Sequence, residues 1–329
     1  MKKKGTSHMN LISTSNQPMG SKVLAGDIGG TNARLALYQL KPDGLELVIQ
    51  KSYPSSEMTS LEEVVAHFLE SHQLTCDAAC LGLPGPQSQP GVYNLTNLPW
   101  LVEAERLYPA LQTRKLVLVN DVEASALGVL GVPADDLFCI HDGKPDPDGN
   151  RSVISVGTGL GVGILSPSGR ASATESGHGT FAPQNDFDVA LMKHLQKMFG
   201  HVSWERIASG SGLPYIHAFL VNEESRLTAA EIAKQSENNE ACAKTLEKFL
   251  QYVGSVAGSI ALTQMATGGV YFCGGVANKM FTPKRTSIIR EAFLEKGRMK
   301  PILERMPLYI IKNENLAIIG AAQRALSLV

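Results

Sequence analysis

Residues 24–35 read Leu-Ala-Gly-Asp-Ile-Gly-Gly-Thr-Asn-Ala-Arg-Leu. An apolar run at 23–25 leads into this stretch and residues 34–37 lead out of it, so the pattern predicts strand, tight glycine turn, strand. Gly29 and Gly30 allow backbone conformations that other residues resist, and they let backbone N–H groups approach an anion with no Cβ in the way. Asp27 sits at the mouth of the turn, where a carboxylate beside phosphates serves as a ligand for hydrated Mg²⁺. The same residues also suit an ordinary hairpin, because Gly-Gly and Asp-x-Gly are common turn chemistry.

A second stretch of the same kind favours the phosphate reading. Residues 153–165 run Val-Ile-Ser-Val-Gly-Thr-Gly-Leu-Gly-Val-Gly-Ile-Leu. Strand again enters a turn of glycine and small hydroxyl residues, and strand leaves it. Gly157, Gly159, Gly161 and Gly163 alternate, so one face of the ribbon carries no side chains. Two such hairpins could clamp a polyphosphate. Neither matches the dinucleotide fingerprint, whose third glycine falls at Val162 or Ile164 and whose turn leads into a helix. The P-loop pattern Gly-x-x-x-x-Gly-Lys-[Ser/Thr] does not occur.

The bulk properties narrow the class. With 329 residues, 43% of them hydrophobic, the chain has enough apolar material for two domains with substantial cores. A formal net charge of −1 argues against nucleic acid or a membrane surface as the main partner. No apolar stretch approaches the roughly 20 residues that cross a bilayer. Residues 1–20 are polar and lack an apolar signal segment, which predicts a disordered N-terminal extension. The five scattered cysteines form no disulfide framework and suit a reducing, cytoplasmic location. Cys76 and Cys80 have no second ligand pair at zinc spacing, so both read as buried small apolar residues.

Strand signals appear at 22–27, 33–40 and 45–52, followed by a helical pattern at 59–72 and a buried strand at 78–83. A strand at 115–119 delivers Asn120 and Asp121 to its carboxyl end, before a helix at 122–130. Residues 142–150 read as a surface loop. Helical patterns cover 186–199, 211–222, 229–237 and 239–266. A buried strand at 269–273 runs into Gly274 and Gly275; then come a helix at 284–296, a strand at 308–312 and a last helix at 316–327. This order predicts α/β sheets whose ligands gather beyond the strand ends.

The two glycine hairpins, Asp27-x-Gly-Gly-Thr-Asn and Gly157-Thr-Gly-Leu-Gly, resemble the phosphate motifs of the actin-like ATPase superfamily, and within it those of bacterial-type glucokinases. Asn120-Asp121, Glu175-Ser-Gly-His178, Gly200-His-Val-Ser-Trp-Glu205-Arg206, Ser209-Gly-Ser-Gly212 and Gly274-Gly-Val-Ala277 match in the same order. The resemblance covers nearly everything from Val23 onward. It implies a two-domain, ribonuclease H-like α/β fold with a ligand cleft between domains: a small domain of 21–131 plus 315–329 and a large domain of 132–314. The Cys-rich zinc motif of repressor-type sugar kinases is absent.

The activity it implies is ATP-dependent, Mg²⁺-assisted phosphorylation of glucose, with Asp121 as the base that takes the proton of the 6-hydroxyl. Read from the residues alone, Asp121 also suits the N-cap of the next helix. The sugar contacts implied are Asn120, Asp121, Glu175, His178 and Glu205, with Asn97 as a further contact or a turn residue. The residues alone equally allow a solvated Glu175, a satisfied loop His178 and an exposed Glu205–Arg206 pair. For the nucleotide, the resemblance implies Gly26, Asp27, Ile28, Gly29, Gly30, Thr31 and Asn32, then Gly157, Thr158 and Gly159, and then Gly274 and Gly275 for the adenosine. Asp27 is the implied metal ligand. Ser176 stands where the family often has glycine, which leaves sugar selectivity, including other hexoses or N-acetylated amino sugars, less fixed than reaction type. A non-catalytic sugar-responsive regulator would need a DNA-binding extension, for which the N-terminus has no room. The oligomeric state, homodimer included, stays open.

Overall fold

The hairpin quoted first sets the topology. Lys22–Ile28 (β1) pairs antiparallel with Asn32–Lys41 (β2), which pairs antiparallel with Gly44–Pro54 (β3). The chain then forms helix Leu61–Ser71 (α1), whose N-cap Ser60 accepts from Glu63 N and whose buried stripe is Leu61, Val64, Val65, Phe68 and Leu69. From there it returns as Ala78–Leu83 (β4), parallel to β1. Every residue of β4 is buried, as a central strand covered on both faces requires.

The computed structural model describes residues 17–85, 87–95, 98–223 and 227–329. The chain divides into two compact units, one of residues up to Asp136 with Ser168–Ser172 and Asn313–Val329, the other of Leu137–Pro167 and Ala173–Lys312.

In the first unit a small antiparallel sheet of Gln87–Gln89 (β5), Val92–Asn94 (β6) and Leu101–Glu103 (β7) precedes helix Ala104–Leu111 (α2). Leu116–Asn120 (β8) joins β4 in parallel and leads into Asp121–Gly128 (α3). The main sheet runs β3-β2-β1-β4-β8. Alternation along β1 divides the core: Leu24 and Ile28 face Val64, Phe68 and Leu107, whereas Val23 and Ala25 face Ala124 and the C-terminal helix Leu316–Leu326. On that second face the sheet offers Ala25, Ala36, Ala78 and Cys80, all small enough for a helix to lie close.

Glycines bring α3 and the C-terminal helix into backbone contact. A Cβ on Gly320 would lie 1.9 Å from the carbonyl oxygen of Ala124, and one on Gly128 2.1 Å from that of Leu316.

The second unit repeats the scheme. Leu137–His141 (β9) is an outer strand; Arg151–Val156 (β10) and Leu160–Leu165 (β11) form the second hairpin, and Ala171–Thr174 (β12) follows. Helices Asp186–Phe199 (α4), Glu205–Ala208 (α5), Leu213–Val221 (α6), Ala229–Gln235 (α7) and Glu240–Gln264 (α8) come next. Gly269–Cys273 (β13) lies parallel to β10, and Gly275–Met280 (α9), Thr286–Leu294 (α10) and Lys300–Leu303 (α11) precede Leu308–Ile311 (β14), parallel to β13. The sheet runs β12-β11-β10-β13-β14-β9. Its core is built around α8, whose Phe249, Val253, Val256 and Ala257 pack with Phe272, Phe281 and Phe293.

Three expectations change. Residues 17–20 are not a loose tail: Gly20 N donates to Leu40 O (3.0 Å) and Gln39 Nε2 to Gly20 O (3.1 Å), which continues the contact of β1 with β2. Residues 1–16 lie outside the described residues. Gly274 and Gly275, read from sequence only as the end of a strand, lead into helix α9. Strands β5, β6, β7, β9 and β12 and helix α2 add to the elements read from sequence.

Gly320→Ala is expected to destabilise the first unit by about 3 kcal/mol, because the added methyl meets immovable backbone on the facing helix. A thermal melt checks this, and an unchanged midpoint would show that the two helices separate at little cost.

Candidate active site

The candidate residues form two groups, one in each unit. In the first, the turn between β1 and β2 exposes Gly30, Thr31 and Asn32 at its tip. Gly29 N donates to Asn32 O (2.9 Å) and closes the turn. Neither Gly29 nor Gly30 has positive φ, so conformational permissiveness does not explain them. What the turn gains is open backbone. Gly26 is explained by packing, since a Cβ there would lie 2.5 Å from Leu81 Cδ2 and 3.0 Å from Leu35 Cδ2. Ile28 has its side chain in the core, so only its backbone can meet a ligand.

Ser55 holds this turn from outside. Its backbone N–H donates to Thr31 O (2.9 Å) and its hydroxyl to Gly29 O (2.8 Å), while the residue itself is 1% exposed. No sequence motif marks it, because it lies beyond the end of β3 and reaches the turn only through the sheet.

Asp27 does not stand alone at the turn. Arg34 faces it directly across the hairpin and forms an ion pair with its Oδ2, and Arg34 Nη1 also donates to Glu314 O (3.0 Å). The pairing was readable in principle from hairpin register. A hard carboxylate beside a phosphate turn suits Mg²⁺ in donor type, and Mg²⁺ commonly takes one or two carboxylates with waters and phosphates for the rest. Asp27 therefore fits as a single ligand while its Oδ2 is shared with the guanidinium. Among the described residues, no group of three or more His, Cys, Asp or Glu side chains could hold a metal by itself.

Strand register gathers Asn120 and Asp121 at the same sheet end: Asp27 pairs with Gly82, Gly82 with Val119, and Leu83 with Asn120. The helix cap is Asn120, not Asp121. Asn120 Oδ1 accepts from Val122 N (2.9 Å) and its Nδ2 donates to Gly85 O (3.2 Å). Asp121 is the first helical residue. Its Oδ1 accepts from Val122 N (2.9 Å), and Ser125 Oγ donates to its carbonyl (2.9 Å). Asn97 lies outside the described residues.

In the second unit, the turn between β10 and β11 exposes Thr158, with Gly157 and Gly159 on either side. Gly210 N donates to Gly157 O (2.8 Å) and Ser211 N to Thr158 O (3.1 Å), so the Ser209–Gly212 stretch is bonded along the turn. Gly274, at φ +96°, packs on the end of β10: a Cβ there would lie 2.6 Å from Val156 O. A positive φ and a close approach together require glycine at this position. A Cβ on the next residue, Gly275, would meet nothing within 4 Å, which leaves open space beside the turn.

Glu205 stands against this turn, and His178 and Glu175 continue from it as a row of polar side chains. Glu175 and His178 flank the short 3₁₀ turn Ser176–His178, and His178 Nε2 lies 3.6 Å from Glu175 Oε2. His178 Nδ1 lies 3.9 Å from Glu205 Oε1. Glu205 Oε2 accepts from Leu160 N (3.0 Å). Glu205 opens α5, and Trp204 N bonds Gly179 O (2.9 Å), which ties this helix to the 175–178 turn. The exposed Glu205–Arg206 pairing does not form; Arg206 lies over the Phe199 ring, 4.2 Å from its centroid. Carboxylates and an imidazole beside open backbone N–H groups can grip a polyhydroxyl compound next to a phosphate.

The glucokinase family model matches residues 24–327. The chain belongs to the glucokinase family. A glucokinase of Chromobacterium violaceum is 36% identical over 91% of this chain and 88% of its own, and one of Nostoc punctiforme 33% identical over 91% and 97%. The crystal structure of a glucokinase from an Antarctic psychrotroph superposes with a TM-score of 0.84 at 30% identity, covering 93% of this chain and 99% of that one. The actin-like ATPase fold expected from the hairpins is the fold of such enzymes, and no helix among the described residues is long and apolar enough to cross a membrane.

Ser55→Ala should cost about 1 kcal/mol through the lost hydroxyl bond to Gly29 O. Hydrogen exchange in the 28–32 turn should accelerate; exchange as slow as in the parent would show that the turn stands without Ser55.

Proposed function

We propose that this enzyme transfers the γ-phosphoryl group of ATP to the 6-hydroxyl of D-glucose, releasing ADP and glucose 6-phosphate. The observation that carries the reading is that Glu205, bonded to the peptide directly after the glycine turn 157–159, faces His178 and through it Glu175 within one unit. Sugar-gripping groups beside a phosphate-type turn suit a kinase for a small polyol better than a nucleotidase or a plain binding protein.

In this reading Asp121 is the general base. As O6 attacks the γ-phosphorus, its proton passes to the Asp121 carboxylate, the O6–P bond forms, and the bond from phosphorus to the β,γ-bridging oxygen breaks, leaving the electron pair on ADP. Asn120 contributes hydrogen-bonding capacity beyond the two bonds of its capping role, since an amide has further donor and acceptor positions. Glu175, His178 and Glu205 hold the other sugar hydroxyls. The turns at 28–32 and 157–159 present backbone N–H groups to the phosphates, and Gly274 and Gly275 leave room for the adenosine. Asp27 would hold hydrated Mg²⁺, which when bound neutralises charge on the phosphates. All five cysteines are free, in keeping with a cytoplasmic enzyme.

A coupled kinase assay over a panel of sugars and phosphoryl donors tests the reaction; turnover of another hexose in preference to glucose would overturn the substrate assignment. Asp121→Ala should lower kcat by roughly 10²-fold or more while the folded state persists by circular dichroism. Near-parental turnover would remove Asp121 from the base role. His178→Ala should raise the KM for glucose about tenfold and leave that for ATP within about twofold, since the lost group binds sugar alone. A larger effect on ATP would place His178 on the nucleotide.

A further inference from the structure

We propose that Glu205 is a positioning residue for the phosphate turn as well as a sugar ligand, so that one carboxylate couples the two substrates. The inference rests on the kinase reading above and extends it to how sugar and nucleotide communicate.

The geometry centres on the Leu160 peptide, which directly follows the turn residues Gly157, Thr158 and Gly159. Its N–H donates to Glu205 Oε2 at 3.0 Å, a charge-assisted bond on a side chain only 27% exposed. Its carbonyl is wedged by the 175–178 turn, because a Cβ on Gly177 would lie 2.1 Å from Leu160 O. Gly159 is bare on the side facing the carboxylate, where a Cβ would lie 2.7 Å from Glu205 Oε2. The other two bonds along this edge, Gly210 N to Gly157 O and Ser211 N to Thr158 O, come from backbone. Ser209 Oγ donates to Glu205 O (2.7 Å), so all three bonds issue from one short segment. Glu205 supplies the side-chain bond of this set, and it is the member that faces the sugar group His178, through Oε1.

A carboxylate can serve both neighbours because its two oxygens accept independently. Sugar hydroxyls that engage Oε1 and His178 restrain the carboxylate, which in turn restrains the Leu160 N–H and the turn before it. Nucleotide phosphates then meet N–H groups already in place. By linkage, whatever sugar binding adds to nucleotide affinity, nucleotide binding adds equally to sugar affinity.

The test is nucleotide affinity without sugar, where a residue that only binds sugar has no effect. Calorimetry with AMPPNP and Mg²⁺ on Glu205→Ala should show about tenfold weaker binding, whereas Glu205→Gln, which keeps an acceptor for Leu160 N–H and drops the charge, should stay within about twofold of the parent. An alanine variant that binds as tightly as the parent, or more tightly, overturns the proposal. So does a glutamine variant as weak as the alanine one. Should Glu205→Ala not fold, hydrogen exchange on the parent enzyme decides: saturating glucose should slow exchange in the 157–160 segment, and unchanged exchange there overturns the coupling. A parent that phosphorylates glucose while the variants fail these expectations separates the failure of this inference from that of the kinase reading, which fails when the parent phosphorylates no sugar.

Discussion

One strand in each unit carries a double obligation, and the rest of the architecture follows from it. β1 pairs antiparallel with its hairpin partner β2 on one side and parallel with β4 on the other; β10 does the same with β11 and β13. The parallel neighbour can be reached only through a crossover, so each strand is followed by helices that must cover a face of the sheet. Both faces then need apolar side chains, which is why β1 alternates between two cores instead of between core and water. The glycine turn consequently opens at the carboxyl ends of the parallel strands, where ligands of α/β sheets gather. The phosphate turn and the carboxyl ends of β4 and β8 are neighbours because β1 belongs to both pairings.

Sequence made this frame legible where strands were long and apolar. β4 and β13 announced themselves because a strand buried along its whole length has no polar residues to obscure it, and the hairpins because glycine turns join two apolar runs. The small sheet did not. β5 is Gln-Ser-Gln and wholly exposed, so no hydrophobic period exists to read. Helix α2 buries only Leu107 and Leu111 and carries Pro109, which hides its periodicity. α9 begins at a glycine and spans a turn and a half, too short for its period to show, and of Gly274 and Gly275 only the first is obliged to be glycine by conformation.

The site was legible as a list of residues and not as a set of bonds. The family resemblance brought out Glu175, His178 and Glu205, but their contact depends on α5 being tied to the 3₁₀ turn through Trp204 and Gly179, a tertiary fact without a local signature. Arg34 and Ser55 went unread for the same reason: one acts across a register, the other across a sheet. Asn120 shows the reverse. A residue singled out for a substrate has a structural occupation as helix cap, and its neighbour Asp121 shares the same Val122 N–H. The division of labour between two adjacent residues at a strand end is set by backbone geometry that neither residue type reveals.

Both glycine turns face the same difficulty. Backbone N–H groups stabilise a transferring phosphoryl group only if they are held in place beforehand, yet glycine gives the chain its greatest freedom. Each turn is therefore held from outside by hydrogen bonds to its own backbone, and the two solutions differ chemically. Ser55 fixes the first with a buried neutral hydroxyl, a bond that does not involve any group placed to meet a ligand. The second is fixed partly by a carboxylate that faces an imidazole and solvent as well as the turn. In the coupling proposed above, its order depends on what else the carboxylate binds. A kinase must avoid transferring its phosphoryl group to water before the sugar arrives, and under the proposed roles one glycine turn answers to the groups that hold the sugar, which delays full preorganisation until the acceptor is in place.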